Sequence, residues 1–102
     1  MKDIEQLSDK IEDELNDAEE YVRLALEKKE LDKPTADTYL VLSAEEMKHA
    51  NMLHDRVVAK IEEYRKAHGD PPADMMARYE YLHKKHIKHA TNIKLMQAMY
   101  KE

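Results

Sequence analysis

Apolar residues recur every three or four positions through most of this chain, which is the spacing of one face of an α-helix. Few residues interrupt this pattern, because the only glycine is Gly69 and prolines occur only at 34, 71 and 72. Clusters of β-branched residues with period two are missing, so we expect an all-α fold. The breakers predict three helices, over about 3–30, 33–68 and 71–101, joined by short turns.

Both predicted turns carry the signals of helix ends. In KELDKPTAD, Asp32 can cap a helix whose first turn contains Pro34, where the missing N–H costs nothing. In AHGDPPAD, Gly69 can take the left-handed conformation that ends a helix, Asp70 can cap the next helix and Pro71 can open it. Short turns between long helices predict an antiparallel hairpin followed by a third helix.

Carboxylates fall in the middle of two otherwise apolar stripes. Glu14 lies on the first predicted helix and Glu46 on the second, with His49 on the neighbouring turn of the same face. Burying a carboxylate without a partner costs several kcal/mol. A metal ion would compensate, and the alternatives are a Lys or Arg partner, a raised pKa or exposure at the edge of the stripe. The stripes consist of Ile4, Leu7, Ile11, Glu14, Ala18, Tyr21 and Ala25, and of Ala36, Tyr39, Ser43, Glu46, Ala50, Leu53, Val57 and Tyr64, with Leu40, Met47, His54 and Ile61 on the flank of the second.

The segments that contain these residues resemble the ferritin-like superfamily, and its rubrerythrin-like members most closely. ELNDAEEYVRLA at 14–25 is similar to the first ligand helix of that family, and SAEEMKHA at 43–50 is similar to its Glu-x-x-His-Ala segment. The separation of 32 residues between Glu14 and Glu46 suits two antiparallel helices joined by a short turn. The resemblance covers about residues 7–60.

This resemblance implies a role for each candidate residue. Glu14 would be the ligand from the first helix, Glu46 would bridge two ions and His49 would be a terminal ligand. Tyr21 would be an inner-face tyrosine near the metals, which completes the implied catalytic set. The implied reaction is that of a ferroxidase, an oxidoreductase that oxidises Fe(II) with oxygen or peroxide. Carboxylate oxygens and imidazole nitrogens suit iron or manganese and do not exclude zinc.

The chain departs from the family in having too few ligand helices. Family members use four helices, which supply four carboxylates and two imidazoles. Two copies related by a twofold axis would restore that set. We therefore expect a homodimer or higher homo-oligomer that completes a four-helix bundle and holds two irons per dimer. Short family members housed in encapsulin shells build their site between subunits in this manner, which adds an encapsulating shell to the expected partners.

The third predicted helix contains a second Glu-x-x-His, formed by Glu80 and His83. A site within one chain could combine this pair with the three residues above, and it would then lack one carboxylate. Alternatively, Glu80 and Lys84 form an ordinary surface pair, and His83, His86 and His89 are solvated or lie at an interface. An accessory metal site or an iron-entry site on this helix is the third alternative.

Composition narrows the remaining function classes. The 17 Lys and Arg against 22 Asp and Glu give a net charge of -5, so we expect no nucleic-acid partner and no membrane surface. The absence of cysteine excludes disulfide scaffolds, thiolate zinc sites and a built-in Cys₄ electron-transfer domain. Without a long apolar run or a signal peptide, the chain is expected to be a soluble single domain, 1–102, with the cytoplasm as the default compartment. The rival function is a non-enzymatic helical assembly module that keeps the fold without using the metal.

Overall fold

The computed structural model describes residues 2–102 and consists of three α-helices joined by short turns. α1 spans Lys2–Lys28, α2 spans Lys33–His68 and α3 spans Ala73–Tyr100. No strand occurs in the described residues, which confirms the all-α fold class. The helices form a rod of 55 × 18 × 17 Å with a radius of gyration of 16.4 Å, against about 13 Å for a compact domain of this length. None of the helices within residues 2–102 carries an apolar stretch of the kind that a bilayer span requires.

The turn between α1 and α2 forms as predicted. The Asp32 carboxylate accepts a hydrogen bond from the backbone N–H of Thr35 at 3.3 Å, and Pro34 lies in the first turn of α2. This hydrogen bond lowers the pKa of Asp32 below its ordinary value. The cap satisfies one of the backbone donors that a helix start leaves unpaired, which gives α2 a sharply defined beginning.

The turn between α2 and α3 confirms one prediction and corrects two. Gly69 has a φ of 81° and its N–H donates to the carbonyl of Arg65, as expected for a glycine that ends a helix. However, Asp70 does not cap α3 and Pro71 does not open it, because the N-cap is Pro72. A residue that precedes a proline is pushed out of the helical region, so Pro71 cannot be helical in front of Pro72 and α3 begins two residues later.

The core stripe coincides with the predicted one at alternate positions, such as Ile11 and Ala18, and lies one residue away at positions between them. On α1, Leu15 and Val22 are 1% and 0% exposed, whereas the adjacent Glu14 and Tyr21 are half-buried. On α2, Met47 is buried and the adjacent Glu46 is half-buried. The buried residues are Ile4, Ser8, Ile11, Leu15, Ala18, Val22 and Ala25 on α1, and Ala36, Ser43, Met47, Ala50, Val57 and Ile61 on α2. The predicted inner-face carboxylates therefore lie at the edge of the hairpin core.

The third helix causes this shift, because it packs mainly against α1 and so draws the core toward one flank of the hairpin. Ile93 of α3 is fully buried in the core cluster shared with α1 and α2. The buried Ser43 hydroxyl donates to the carbonyl of Ala18 at 2.7 Å and accepts a hydrogen bond from Gln97 at 3.0 Å. Ser43 thus joins all three helices at one point.

The carboxyl end of α3 is anchored beside the first turn of α2. The Tyr100 hydroxyl donates a hydrogen bond to the Asp37 carboxylate, and the Tyr100 side chain is buried. This bond raises the pKa of Tyr100 to about 12 and lowers the pKa of Asp37. Contacts at Ser43 and Tyr100 therefore fix the position of α3 along the hairpin.

Candidate metal centre

The three predicted ligands meet in the middle of the hairpin. His49 Nδ1 lies 3.5 Å from a carboxylate oxygen of Glu14 and 3.6 Å from a carboxylate oxygen of Glu46. One ligand atom from each of the three side chains lies within 4.8 Å of the other two, and no other group of three His, Asp or Glu residues in 2–102 meets that criterion. The structure therefore brings together side chains that are 32 residues apart in the sequence.

The two carboxylates are half-buried and are not paired with lysine or arginine. The side chains of Glu14 and Glu46 are 26% and 18% exposed, and the His49 side chain is 52% exposed. Glu14 Oε2 is buried and accepts no hydrogen bond. Within residues 2–102, the only ion-pair partner of either carboxylate is His49. Because a buried oxygen without a hydrogen bond is costly, the group fits a divalent cation, and oxygen with imidazole donors suits iron, manganese or zinc.

Apolar layers lie on both sides of the group along the hairpin. Half-buried Leu7 and Tyr21 lie seven residues before and after Glu14, and half-buried Tyr39 and Leu53 are spaced in the same way around Glu46. The rings of Tyr21 and Tyr39 stack with centroids 6.1 Å apart. We call this surface the glutamate face, and it consists of Leu7, Glu14, Tyr21, Tyr39, Glu46, His49 and Leu53. Tyr21 therefore shares a surface with the candidate ligands. Its stacking partner Tyr39 was predicted only as a member of the α2 stripe, without a role at the site.

The third helix covers the other flank of the hairpin. His89 of α3 lies 3.0 Å from the Glu19 carboxylate of α1, and the His83 ring stacks on the His54 ring of α2 at 4.8 Å. Glu19 and His54 each lie five residues after a candidate ligand, and five residues correspond to about 140° of rotation around a helix. The described part of the chain therefore leaves the glutamate face uncovered.

The second Glu-x-x-His does not join this group. Glu80 is exposed on α3. The His83 ring stacks on the rings of His54 and Tyr79, with centroids 4.8 and 5.7 Å away. Within one chain, the candidate centre thus contains Glu14, Glu46 and His49, without a contribution from α3.

Comparisons with other proteins add nothing to this geometry, since no protein-family model, no curated protein and no solved structure matches the chain. The function is therefore inferred from the site itself. One chain offers two carboxylates and one imidazole, which is half of the ligand set that di-iron helical bundles use. The arrangement is suited to holding one cation with several coordination positions left open.

Proposed function

We propose that this protein is a ferritin-like di-iron protein that binds Fe(II) between two copies of the chain and oxidises it. The observation that carries the proposal is the convergence of Glu14, Glu46 and His49 on a face that α3 leaves uncovered, with one Glu14 oxygen buried and without a hydrogen bond. Oxygen and imidazole donors of this kind suit iron, with manganese and zinc as the alternatives.

A second copy is the partner that the glutamate face favours. A twofold axis through this face would place the ligands of one chain opposite those of its partner, giving four carboxylates and two imidazoles. The same axis would bring the leucine and tyrosine layers into contact and bury the half-exposed apolar side chains of Leu7 and Leu53. Opposed carboxylates would repel each other, so metal binding and dimerisation should support one another.

The residues of each chain would have separate tasks in such a site. Glu14 and Glu46 would neutralise the charge of the bound ions, and His49 would add a nitrogen ligand at the more exposed edge. The bound iron would supply the electrons that reduce oxygen or peroxide. The stacked Tyr21 and Tyr39 on one side, and the leucine layer on the other, would limit access of water along the bundle.

A non-enzymatic assembly module is the second candidate function. It is favoured by apolar side chains on the outer surface of α3, where Tyr81, Leu95 and Met99 are each more than half exposed. Such a protein would use these side chains for contacts between copies and would not oxidise iron. Iron chemistry therefore distinguishes the two candidates.

The deciding experiment is an anaerobic titration with Fe(II), followed by exposure to air while the absorbance of Fe(III) is recorded. We expect about one Fe(II) per chain, hence a pair per dimer. Glu46→Ala and His49→Ala should lose binding and oxidation, whereas Glu45→Ala, which alters the exposed neighbour on the same helix, should behave like the parent. Equal binding by all variants would place the site elsewhere, and an absence of Fe(II) binding by the parent would favour the assembly module.

A further inference from the structure

Three histidines line one cavity on the flank opposite the glutamate face. The cavity has a volume of about 230 Å³ and is bordered by His54 of α2 and by His83 and His86 of α3. His83 and His86 lie on neighbouring turns of the same side of α3, as their spacing of three residues requires. Two helices thus place imidazole side chains around one cavity, and no Asp or Glu lines it.

The His54 ring is held in place but has an unsatisfied nitrogen. It stacks on His83 with an interplanar angle of 17°, and its Nδ1 lies 3.9 Å from the Asp55 carboxylate. Its Nε2 is buried and has no hydrogen-bond partner. A buried ring nitrogen without a hydrogen-bond partner is costly, and coordination to a metal ion would satisfy it.

Burial acts on two of the three histidines that line the cavity. Burial lowers the pKa of His86, and burial together with the neighbouring His54 lowers the pKa of His83. The charged groups near His86 are Glu12 and Lys85, and Lys94 borders the cavity. Neutral imidazoles are metal ligands, whereas protonated imidazoles are not.

We infer that this cavity, here called the histidine cavity, is a second metal site that takes a cation of the Zn²⁺ class through His54, His83 and His86. Three imidazoles with an open fourth position are a known ligand set for zinc. Zinc and copper bind well to imidazole, whereas hard ions such as Mg²⁺ and Ca²⁺ favour carboxylates. This site differs in ligand chemistry from the glutamate face, and it does not depend on the iron-oxidising function.

Binding requires the imidazoles to rearrange. The ring nitrogens of the three histidines are not all within 4.8 Å of one another, so at least one imidazole must rotate before all three can bind one ion. The open volume beside the rings provides the space for such a rotation. A bound ion would then link α2 directly to α3, whose packing is otherwise mainly against α1. Metal binding should therefore raise the thermal midpoint as well as shift the histidine nitrogens.

Histidine side-chain nitrogen NMR tests this inference on the full chain. In a Zn²⁺ titration of ¹⁵N-labelled protein, the ring nitrogens of His54, His83 and His86 should shift together and saturate. The exposed His68, at the end of α2, should not shift. A response of His49 without these three, or no response at all, would overturn the inference. Because each histidine is observed separately, zinc at the glutamate face cannot be mistaken for zinc in the cavity.

Matched variants provide the second readout. His54→Gln and His83→Gln should each weaken Zn²⁺ binding in the cavity at least tenfold, because even loss of an outer-shell partner costs about 10–100-fold. His68→Gln is the control and should bind like the parent. Far-UV circular dichroism and a thermal melt in chelator check that each variant folds. If both variants are folded and retain the parent affinity for Zn²⁺, His54 and His83 are not ligands and the proposed site is wrong.

Discussion

Replacement of Glu46 by glutamine tests whether the carboxylate pair is kept for binding rather than for stability. The substitution keeps the size of the side chain and removes its charge. In the absence of metal, Glu46 and Glu14 have only His49 as an ion-pair partner among the described residues. We therefore predict that metal-free Glu46→Gln is at least as stable as the parent, because loss of one of two neighbouring charges relieves their repulsion.

The size of the effect follows from the distance between the charges. Ligand atoms of the two carboxylates lie within 4.8 Å of each other, which corresponds to a repulsion of roughly 3 kcal/mol at an effective dielectric constant of about 20. The melt is run at pH 8, where an imidazole with the ordinary histidine pKa carries no charge, and solvent screening at these partly exposed side chains lowers the repulsion. A net gain of about 1–2 kcal/mol in unfolding free energy remains, and 1 kcal/mol raises the thermal midpoint of a domain of this size by about 4–8 °C.

The assay is a thermal melt with and without metal. In chelator, Glu46→Gln should melt at or above the parent midpoint, and in Fe(II) under anaerobic conditions it should lose the stabilisation that the parent gains from the ion. Glu45→Gln carries the same charge change at an exposed neighbouring position and should leave both midpoints near those of the parent. A drop of several degrees for Glu46→Gln in chelator would show that Glu46 belongs to a stabilising pair with His49, which refutes the reasoning.

Three further predictions concern the fold. Ser43→Ala removes a buried hydroxyl that bonds to both Ala18 and Gln97, and it should lower the free energy of unfolding in urea by about 1–3 kcal/mol. Gly69→Ala meets no steric obstacle but must keep a φ of 81° with a ψ of -161°, a combination that is essentially restricted to glycine, so it should cost about 1–3 kcal/mol in the same assay. Burial lowers the pKa of His86 below its ordinary value of 6.5. The contribution of this residue to the free energy of unfolding should therefore be complete above pH 6.5 and decline as the pH falls below that value, because the unfolded chain takes up the proton first. Thermal midpoints at pH 5–7 should decline less steeply for His86→Gln.

Helix boundaries followed from single residues whose backbone preferences are strong. Asp32, Pro34 and Gly69 act locally, so their effect did not depend on the rest of the fold. Pro71 does not open α3, contrary to the prediction, because the next residue, Pro72, restricts its backbone. The end of α1 at Lys28, two residues before its predicted end, lies in a turn without a glycine or proline to mark it.

The orientation of each helix was less predictable than its extent. A spacing of three and four residues fits both Glu14 and Leu15, because neighbouring positions on a broad stripe satisfy it equally. Packing of α3 selects Leu15 for the core and leaves Glu14 at the edge. The contact between His54 and His83 depends on how two distant helices are placed, and no local pattern marks it. The candidate ligands could nevertheless be predicted, because Glu14 and Glu46 lie within or beside the apolar stripe whichever of the neighbouring positions forms the core.

A mixing experiment tests most directly whether two chains form the iron site. Parent chains and chains carrying Glu46→Ala are combined in known ratios, allowed to exchange, and assayed for the initial rate of Fe(II) oxidation, while native mass spectrometry verifies random pairing. If the site needs ligands from both chains, mixed dimers are defective and the rate falls as the square of the parent fraction. His83→Ala should retain most activity in the same assay. A strictly linear decline, together with an inactive His83→Ala variant, would contradict the shared site and place the missing ligands on α3.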